Sequence, residues 1–136
     1  MNDYLTIVNG EVIYCNTDVT DVIIPDGVTS IGDRAFRFHK SLESITIPDS
    51  VTSIGYDAFR YCESLESIII PNSVTFIGNY AFAYCKSLKS IIIPNGITFI
   101  GDRAFAYCKN IMIHCYKNSY AEEYAKKNNI PYKITD

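Results

Sequence analysis

The sequence predicts an α/β repeat solenoid, with short parallel strands stacked coil upon coil, a β-hairpin at the N-terminal end and a helix at the C-terminal end. Three recurrences carry that expectation. Proline returns every 23 residues at Pro25, Pro48, Pro71 and Pro94, and glycine does so at Gly32, Gly55, Gly78 and Gly101. An Ala-Phe pair keeps the same interval at Ala35-Phe36, Ala58-Phe59, Ala81-Phe82 and Ala104-Phe105. Self-similarity at a fixed period of this length marks a stacked array of supersecondary units.

Taken in chain order, Tyr4 to Val8 and Val12 to Cys15 flank Asn9-Gly10, a two-residue hairpin signal. Residues 1–18 are therefore expected to cap the first coil, and residues 19–113 to hold the repeats. A unit opens with Leu42-Glu43-Ser44-Ile45-Thr46-Ile47, whose isoleucines two apart suit a short strand with one face in the core. Pro48-Asp49-Ser50, Pro71-Asn72-Ser73 and Pro94-Asn95-Gly96 then supply turn chemistry. Val51 to Ile54 is a second extended piece. Gly55 is expected to permit a tight bend before a short helical turn bearing Ala58 and Phe59. One coil cannot bury its own apolar face, so stability must come from neighbours stacked about 4.8 Å apart. In the last, shortened unit, Ile111 and Ile113 are expected at the strand positions of Ile91 and Ile93. Residues 114–136 are expected to form the second cap. Ser119 to Glu122 reads as a capping box opening a helix, with Ala121, Tyr124 and Ala125 on one face and an end near Asn128-Asn129 and Pro131. The whole chain is expected to be one domain.

Composition narrows the function classes. The net charge of −3 comes from 15 acidic and 12 basic residues with no run of one sign, so nucleic acid is not an expected partner. No apolar stretch approaches the roughly 20 residues of a membrane helix, and no membrane insertion is expected. Met1 to Tyr4 carry neither the basic region nor the apolar core of a signal peptide, which predicts a cytoplasmic location if the chain is complete. Five cysteines match neither a zinc ribbon nor a CxxC motif. Cys62, Cys85 and Cys108 keep the period, with His39 in the corresponding slot of the preceding unit. A metal ladder is one reading and a column of core thiols the other. The core reading is preferred, because coil spacing exceeds the roughly 3.5–4.5 Å between the Cβ atoms of a disulfide and free cysteine packs well in cores. No cofactor is expected.

The units, of the form I-P-x-x-V-T-x-I-G-x-x-A-F-x-x-C-x-x-L, resemble the BspA-like class of leucine-rich repeats from about Val19 to Ile113. The segment Tyr116 to Ala125 resembles the helical cap that closes such arrays. The resemblance implies a right-handed leucine-rich-repeat solenoid with short strands on its concave face. It also implies adhesion to proteins or cells as the function of many family members, and with it an alternative secreted or cell-surface location.

Candidate binding residues follow from the strand pattern. Ser44, Ser67 and Ser90 precede the inward isoleucines and are expected on the concave face beside Glu43, Glu66 and Lys89. The outward position of successive strands is held by Ile23, Thr46, Ile69, Ile92 and, in the shortened unit, Met112. This makes an apolar stripe bordered by serines, as on a protein-binding surface; ordinary β-propensity is the alternative explanation. A second column, Phe38, Tyr61, Tyr84 and Tyr107, offers either a glycan-stacking surface or rings that shield the coil-closing turns. Thr29, Thr52, Thr75 and Thr98 form a further ladder that could template ordered water. The two imidazoles, His39 and His114, cannot be placed beside a serine together with an acidic orienter and an oxyanion hole, so no catalytic residues are expected. The expected function is a non-enzymatic module that binds a partner protein on the concave face, with glycan binding or cell-surface adhesion as the alternative.

Overall fold

A computed structural model describes residues 4–135, so residues 1–3 of the expected hairpin cap and residue 136 lie outside the described residues. The hairpin forms where the Asn-Gly pair places it. Strands β1 (Leu5–Val8) and β2 (Glu11–Cys15) pair antiparallel, and Asn9 (φ 51°) with Gly10 (φ 79°) supplies the two left-handed residues of the turn. Strand β2 then pairs in parallel with a second strand, Val12 opposite Ile31, and so joins the hairpin to the coils.

Each coil contributes two strands, one to either side of the core. The first strands are β3 (Asp21–Ile23), β5 (Ser44–Thr46), β7 (Ser67–Ile69), β9 (Ser90–Ile92) and β11 (Met112–Cys115). The second strands are β4 (Ser30–Ile31), β6 (Ser53–Ile54), β8 (Phe76–Ile77) and β10 (Phe99–Ile100). The second strands and the hairpin make one continuous six-stranded sheet, β1-β2-β4-β6-β8-β10. The first strands do not. They divide into β3-β5 and a four-stranded sheet containing β7, β9, β11 and a final strand β12 (Tyr132–Ile134), which the sequence reading did not anticipate.

The core is a set of columns. Leu42, Leu65 and Leu88 are fully buried, as are Ile54, Ile77 and the rings of Phe59 and Phe82. Phe36, Phe59, Phe82 and Phe105 stack ring on ring, with centroids 5.0, 5.2 and 5.5 Å apart and planes within 6°. The cysteines belong to this core. The Cys62, Cys85 and Cys108 thiols donate to the carbonyls of Phe36, Phe59 and Phe82 in the preceding coil at 3.2, 3.0 and 3.0 Å. Each thiol is thereby a small apolar residue whose single proton satisfies a buried carbonyl.

Two local expectations need correction. The segment after each glycine is not a helical turn. Around Ala35 and Phe36, i to i+3 bonds alternate with bonds to the next coil. Ala35 and Arg37 donate back to Gly32 and Arg34, while Arg34, Phe36 and Phe38 donate across to Tyr56, Ala58 and Arg60. Such a staircase needs left-handed residues, and two columns supply them without glycine: Arg34, Asp57, Tyr80 and Arg103, and Phe38, Tyr61, Tyr84 and Tyr107, all with φ between 53° and 64°. A non-glycine residue there costs roughly 1–2 kcal/mol, which the inter-coil bonds offset. The recurring glycines, by contrast, do not have positive φ. They are needed for close approach: a Cβ on Gly78 would lie 2.7 Å from the carbonyl carbon of Gly55 and the nitrogen of Tyr56.

The last unit also differs. Met112, Ile113 and His114 pair with Ser90, Ile91 and Ile92, so the unit is one residue short and Ile113 takes the place of Ile91, not of Ile93. Beyond it, α1 (Tyr120–Lys127) opens at Ser119, whose hydroxyl accepts the Glu122 N–H at 3.1 Å. The Glu122 carboxylate reaches past Ser119 to accept the Asn118 N–H at 2.7 Å, a variant of the expected box. Ala121 and Ala125 are buried, and the Tyr124 hydroxyl donates to the Gly101 carbonyl at 2.8 Å, tying the helix to the last full coil.

Candidate partner-binding face

On the first-strand face the alternation of each strand sends one isoleucine inward and its neighbour out. Ile68 and Ile91 are buried while Ile69 and Ile92, side by side on paired β7 and β9, are 66% and 37% exposed. Ile23 on β3 is 64% exposed and pairs with Thr46 on β5, so four of the five expected stripe positions stand outward as the periodicity requires. The fifth does not. Met112 stands opposite Ser90, and the half-buried His114 continues the line from Ile92, because the final unit is shortened by one residue.

The polar border is arranged as a neighbouring column. Ser67 and Ser90 are in register on β7 and β9, and Ser44 on β5 is in register with Asp21, one period earlier: the Ser44 hydroxyl donates to the Asp21 carboxylate at 2.6 Å. The 23-residue offset from Ser44 would have found Asp21 in the sequence. Glu43, Glu66 and Lys89 are exposed at the strand entries, and the described ion pairs, Arg60–Asp57, Lys86–Glu63 and Lys126–Glu122, lie elsewhere. A groove of about 540 Å³ crosses this face, lined by Ile45, Ile47, Ile68, Ile70, Thr46 and Ile69 and reached at its rim by Tyr116.

The aromatic column is a stack in its own right. Phe38, Tyr61, Tyr84 and Tyr107 lie 4.8, 4.5 and 4.6 Å apart within 14° of parallel, and the Arg37 guanidinium lies 5.1 Å from the Phe38 ring centre. The rings therefore cover one another's faces. The outer face of Tyr107, which is 64% exposed, is the one left at the end of the column. The threonine ladder is similarly committed: Thr52, Thr75 and Thr98 hydroxyls donate to the carbonyl of the preceding threonine at 3.2, 3.4 and 3.1 Å. Their protons serve the coil stack.

A third apolar surface went unread in the sequence. Phe76 and Phe99 stand on β8 and β10 where Ser30 and Ser53 stand on β4 and β6; the two rings stack at 5.1 Å, and Tyr56 meets Phe76 edge-on at 6.1 Å. The replacement of a recurring serine by phenylalanine was the available signal.

Among the described residues, the buried imidazole and thiols are held in the packing. His39 is fully buried with Nε2 2.7 Å from the Asn16 carbonyl and 3.5 Å from the Cys15 sulfur. Its ring N–H is committed to that carbonyl, and burial pushes the Cys15 thiol up to about 11, so no thiolate is stabilised there. Burial, with the neighbouring Cys85 thiol, pushes Cys108 up to about 12. Among the described residues no three His, Cys, Asp or Glu side chains are grouped to hold a metal ion, and no helix is long and apolar enough to cross a membrane.

Two-stranded coils stacked on columns of Leu, Ile and Phe define the leucine-rich-repeat class of solenoid. The model of the BspA-type leucine-rich repeat region matches residues 8–130 in six copies, and the chain belongs to that family. Among solved structures it is similar to a leucine-rich repeat protein of Bacteroides ovatus, at 31% identity and a TM-score of 0.76 over 90% of this chain and 32% of that one. It is also similar to one from Bacteroides capillosus (29%, TM-score 0.65, 76% of this chain and 85% of that one) and to the T. pallidum leucine-rich repeat protein (26%, TM-score 0.63, 76% and 62%). The chain thus spans about a third of the length of the Bacteroides ovatus protein. No curated protein matches it. The repeat fold is that of an interaction module.

Proposed function

We propose that the protein is a non-enzymatic module that binds a partner protein on its first-strand face. The observation that carries this reading is the pair Ile69 and Ile92, exposed side by side on paired strands and bordered by the serine column. Apolar side chains on a hydrogen-bonded sheet are ordered before a partner arrives, so little rotamer and backbone freedom is lost on binding. Glu43 and Glu66, with Lys89 at the following position, set the charge a partner must complement and hence its orientation.

The test is the double substitution Ile69→Asp/Ile92→Asp, with Phe99→Ser as the control on the opposite sheet. All three side chains reach solvent, so unfolding should remain cooperative, with each change costing about 1 kcal/mol through lost strand propensity and, at Phe99, lost stacking. Capture of partner protein should fall at least about tenfold in the double variant and hold in the control. Unchanged capture by the folded double variant contradicts the reading.

One observation favours a second reading, glycan binding. Tyr107 and Tyr84 border a groove of about 580 Å³ with Glu63, Lys86, Ser87 and Lys109, which offer the polar contacts a sugar needs. Signals on a carbohydrate array that disappear on Tyr107→Ala support it, and a silent array removes it.

A further inference from the structure

We infer that the protein pairs with a second copy of itself through the outer edge of β1, which continues the six-stranded sheet across a two-fold axis. That sheet lies across the core from the first-strand face, so the inference goes beyond the proposed function and does not depend on it. β1 ends the sheet and, among the described elements, packs against β2 alone. Every second residue of β1 is committed to β2. Tyr4 accepts the Asn16 N–H at 2.8 Å, Thr6 stands opposite Tyr14, and Val8 stands opposite Glu11 across the two-residue turn. In an antiparallel pair alternate residues bond inward, so the N–H and C=O groups of Leu5 and Ile7 point away from β2. No other described element reaches them.

This edge differs from the other strand edges, which are guarded in the usual ways, by charge, proline or a covering element. β12 contains Lys133 and follows Pro131, and β10 is fastened to α1 by the Tyr124 bond to Gly101. β3 carries Asp21, and the Tyr4 hydroxyl takes its Ile23 N–H at 3.5 Å, while β5 and β7 face each other inside the array. β1, Leu5-Thr6-Ile7-Val8, has neither charge nor proline. The hairpin does contain a bulge, but on its inner strand. Thr6 and Ile7 are consecutive while their partners Tyr14 and Val12 skip Ile13, so the extra residue belongs to β2 and the outer strand stays regular. Ile7, Val8 and Tyr14 are exposed around the edge.

The occupant follows from the symmetry of the outward groups. They lie evenly about Thr6, so the strand is its own complement when a second copy runs antiparallel to it. Thr6 then stands opposite Thr6 of the second copy on the two-fold axis, and Leu5 opposite Ile7, each such pair exchanging both of its N–H to C=O bonds. No like charges meet along β1, because it carries none. The Ile7 side chain lies on the same side of the sheet as its partner, the buried Val12, and is exposed only because nothing flanks it at the edge. Leu5 of the second copy fills that flank. An isologous contact of this kind closes at two copies and leaves both first-strand faces uncovered.

Sedimentation equilibrium of the full chain tests the pairing, and single substitutions test the register. A contact this small belongs with weak interfaces, so a monomer–dimer equilibrium should be seen between about 1 µM and about 1 mM. Thr6→Lys sets two like charges face to face on the axis and should weaken the dimer at least about tenfold. Thr6 is exposed, so that variant should unfold as cooperatively as the parent. Thr6→Cys reads the register directly. The Cα atoms of such a non-hydrogen-bonded pair lie about 4.5 Å apart, within the reach of a disulfide, and mild oxidation should give a covalent dimer. Val8→Cys should not, because Val8 stands opposite Tyr4 of the second copy; the native cysteines are all buried. A chain that stays monomeric to about 1 mM, a dimer indifferent to Thr6→Lys, or cross-linking no greater at position 6 than at position 8 overturns the inference.

Discussion

Gly78 and Gly27 are required by the geometry for different reasons, and the difference is measurable. A methyl group on Gly78 would meet the backbone of the preceding coil at 2.7 Å, whereas Gly27, at φ 95°, has nothing within 4 Å of its missing Cβ. Gly78→Ala must push two coils apart and should cost more than about 2 kcal/mol. Gly27→Ala meets only the left-handed backbone penalty and should cost about 1 kcal/mol. Urea unfolding of the two variants separates them, and equal losses would contradict the close-approach account. The sequence period located both the recurring glycines and the phenylalanines, because repetition shows which positions matter. It could not show why, since the atoms that crowd Gly78 belong to residues 55 and 56 in the preceding coil. The same gap explains the missed left-handed columns. Tyrosine, arginine and aspartate carry no left-handed signal strong enough to read, and only bonds such as Phe59 N–H to the Ala81 carbonyl hold the staircase.

At the scale of elements, local signals served where they were self-contained. Asn9-Gly10 placed the hairpin, and Ser119 placed the helix start. Ser119→Ala should lower stability by about 1 kcal/mol through loss of the cap, and Tyr124→Phe by about 1 kcal/mol through loss of its bond to Gly101. Thermal unfolding of each variant checks both, and no change on Tyr124→Phe would mean that the helix is not fastened there. Where an element depends on its neighbour, the sequence was less informative. Counting from Ile91 and Ile93 placed Met112 on the stripe, but a shortening of one residue puts His114 there. The break between β5 and β7 had no signature at all, because Ser41 to Pro48 and Ser64 to Pro71 differ only at Thr46 and Ile69.

For the molecule as a whole, buried thiols tie stability to pH. Cys15 and Cys108 keep their protons to about 11 and about 12, while thiols of the unfolded chain lose theirs near about 8.5. Between these values the folded state binds more protons than the unfolded one, so stability is full below about 8.5 and falls as pH rises toward about 12. Urea midpoints at rising alkaline pH should decline, and part of that slope should vanish in Cys15→Ala/Cys108→Ala. A slope unchanged in that variant would assign it to other groups. The array itself was legible in the sequence because a nearest-neighbour fold writes its period into the chain. The surface proposed to bind a partner was legible only in outline, since three apolar columns reach the surface and periodicity treats them alike. The most direct measurement is photo-crosslinking with a benzoylphenylalanine placed singly at positions 69, 99 and 107, on the three surfaces. The account predicts partner adducts from position 69 and not from position 99. Adducts from position 99 alone, or equal yields from all three, would contradict it.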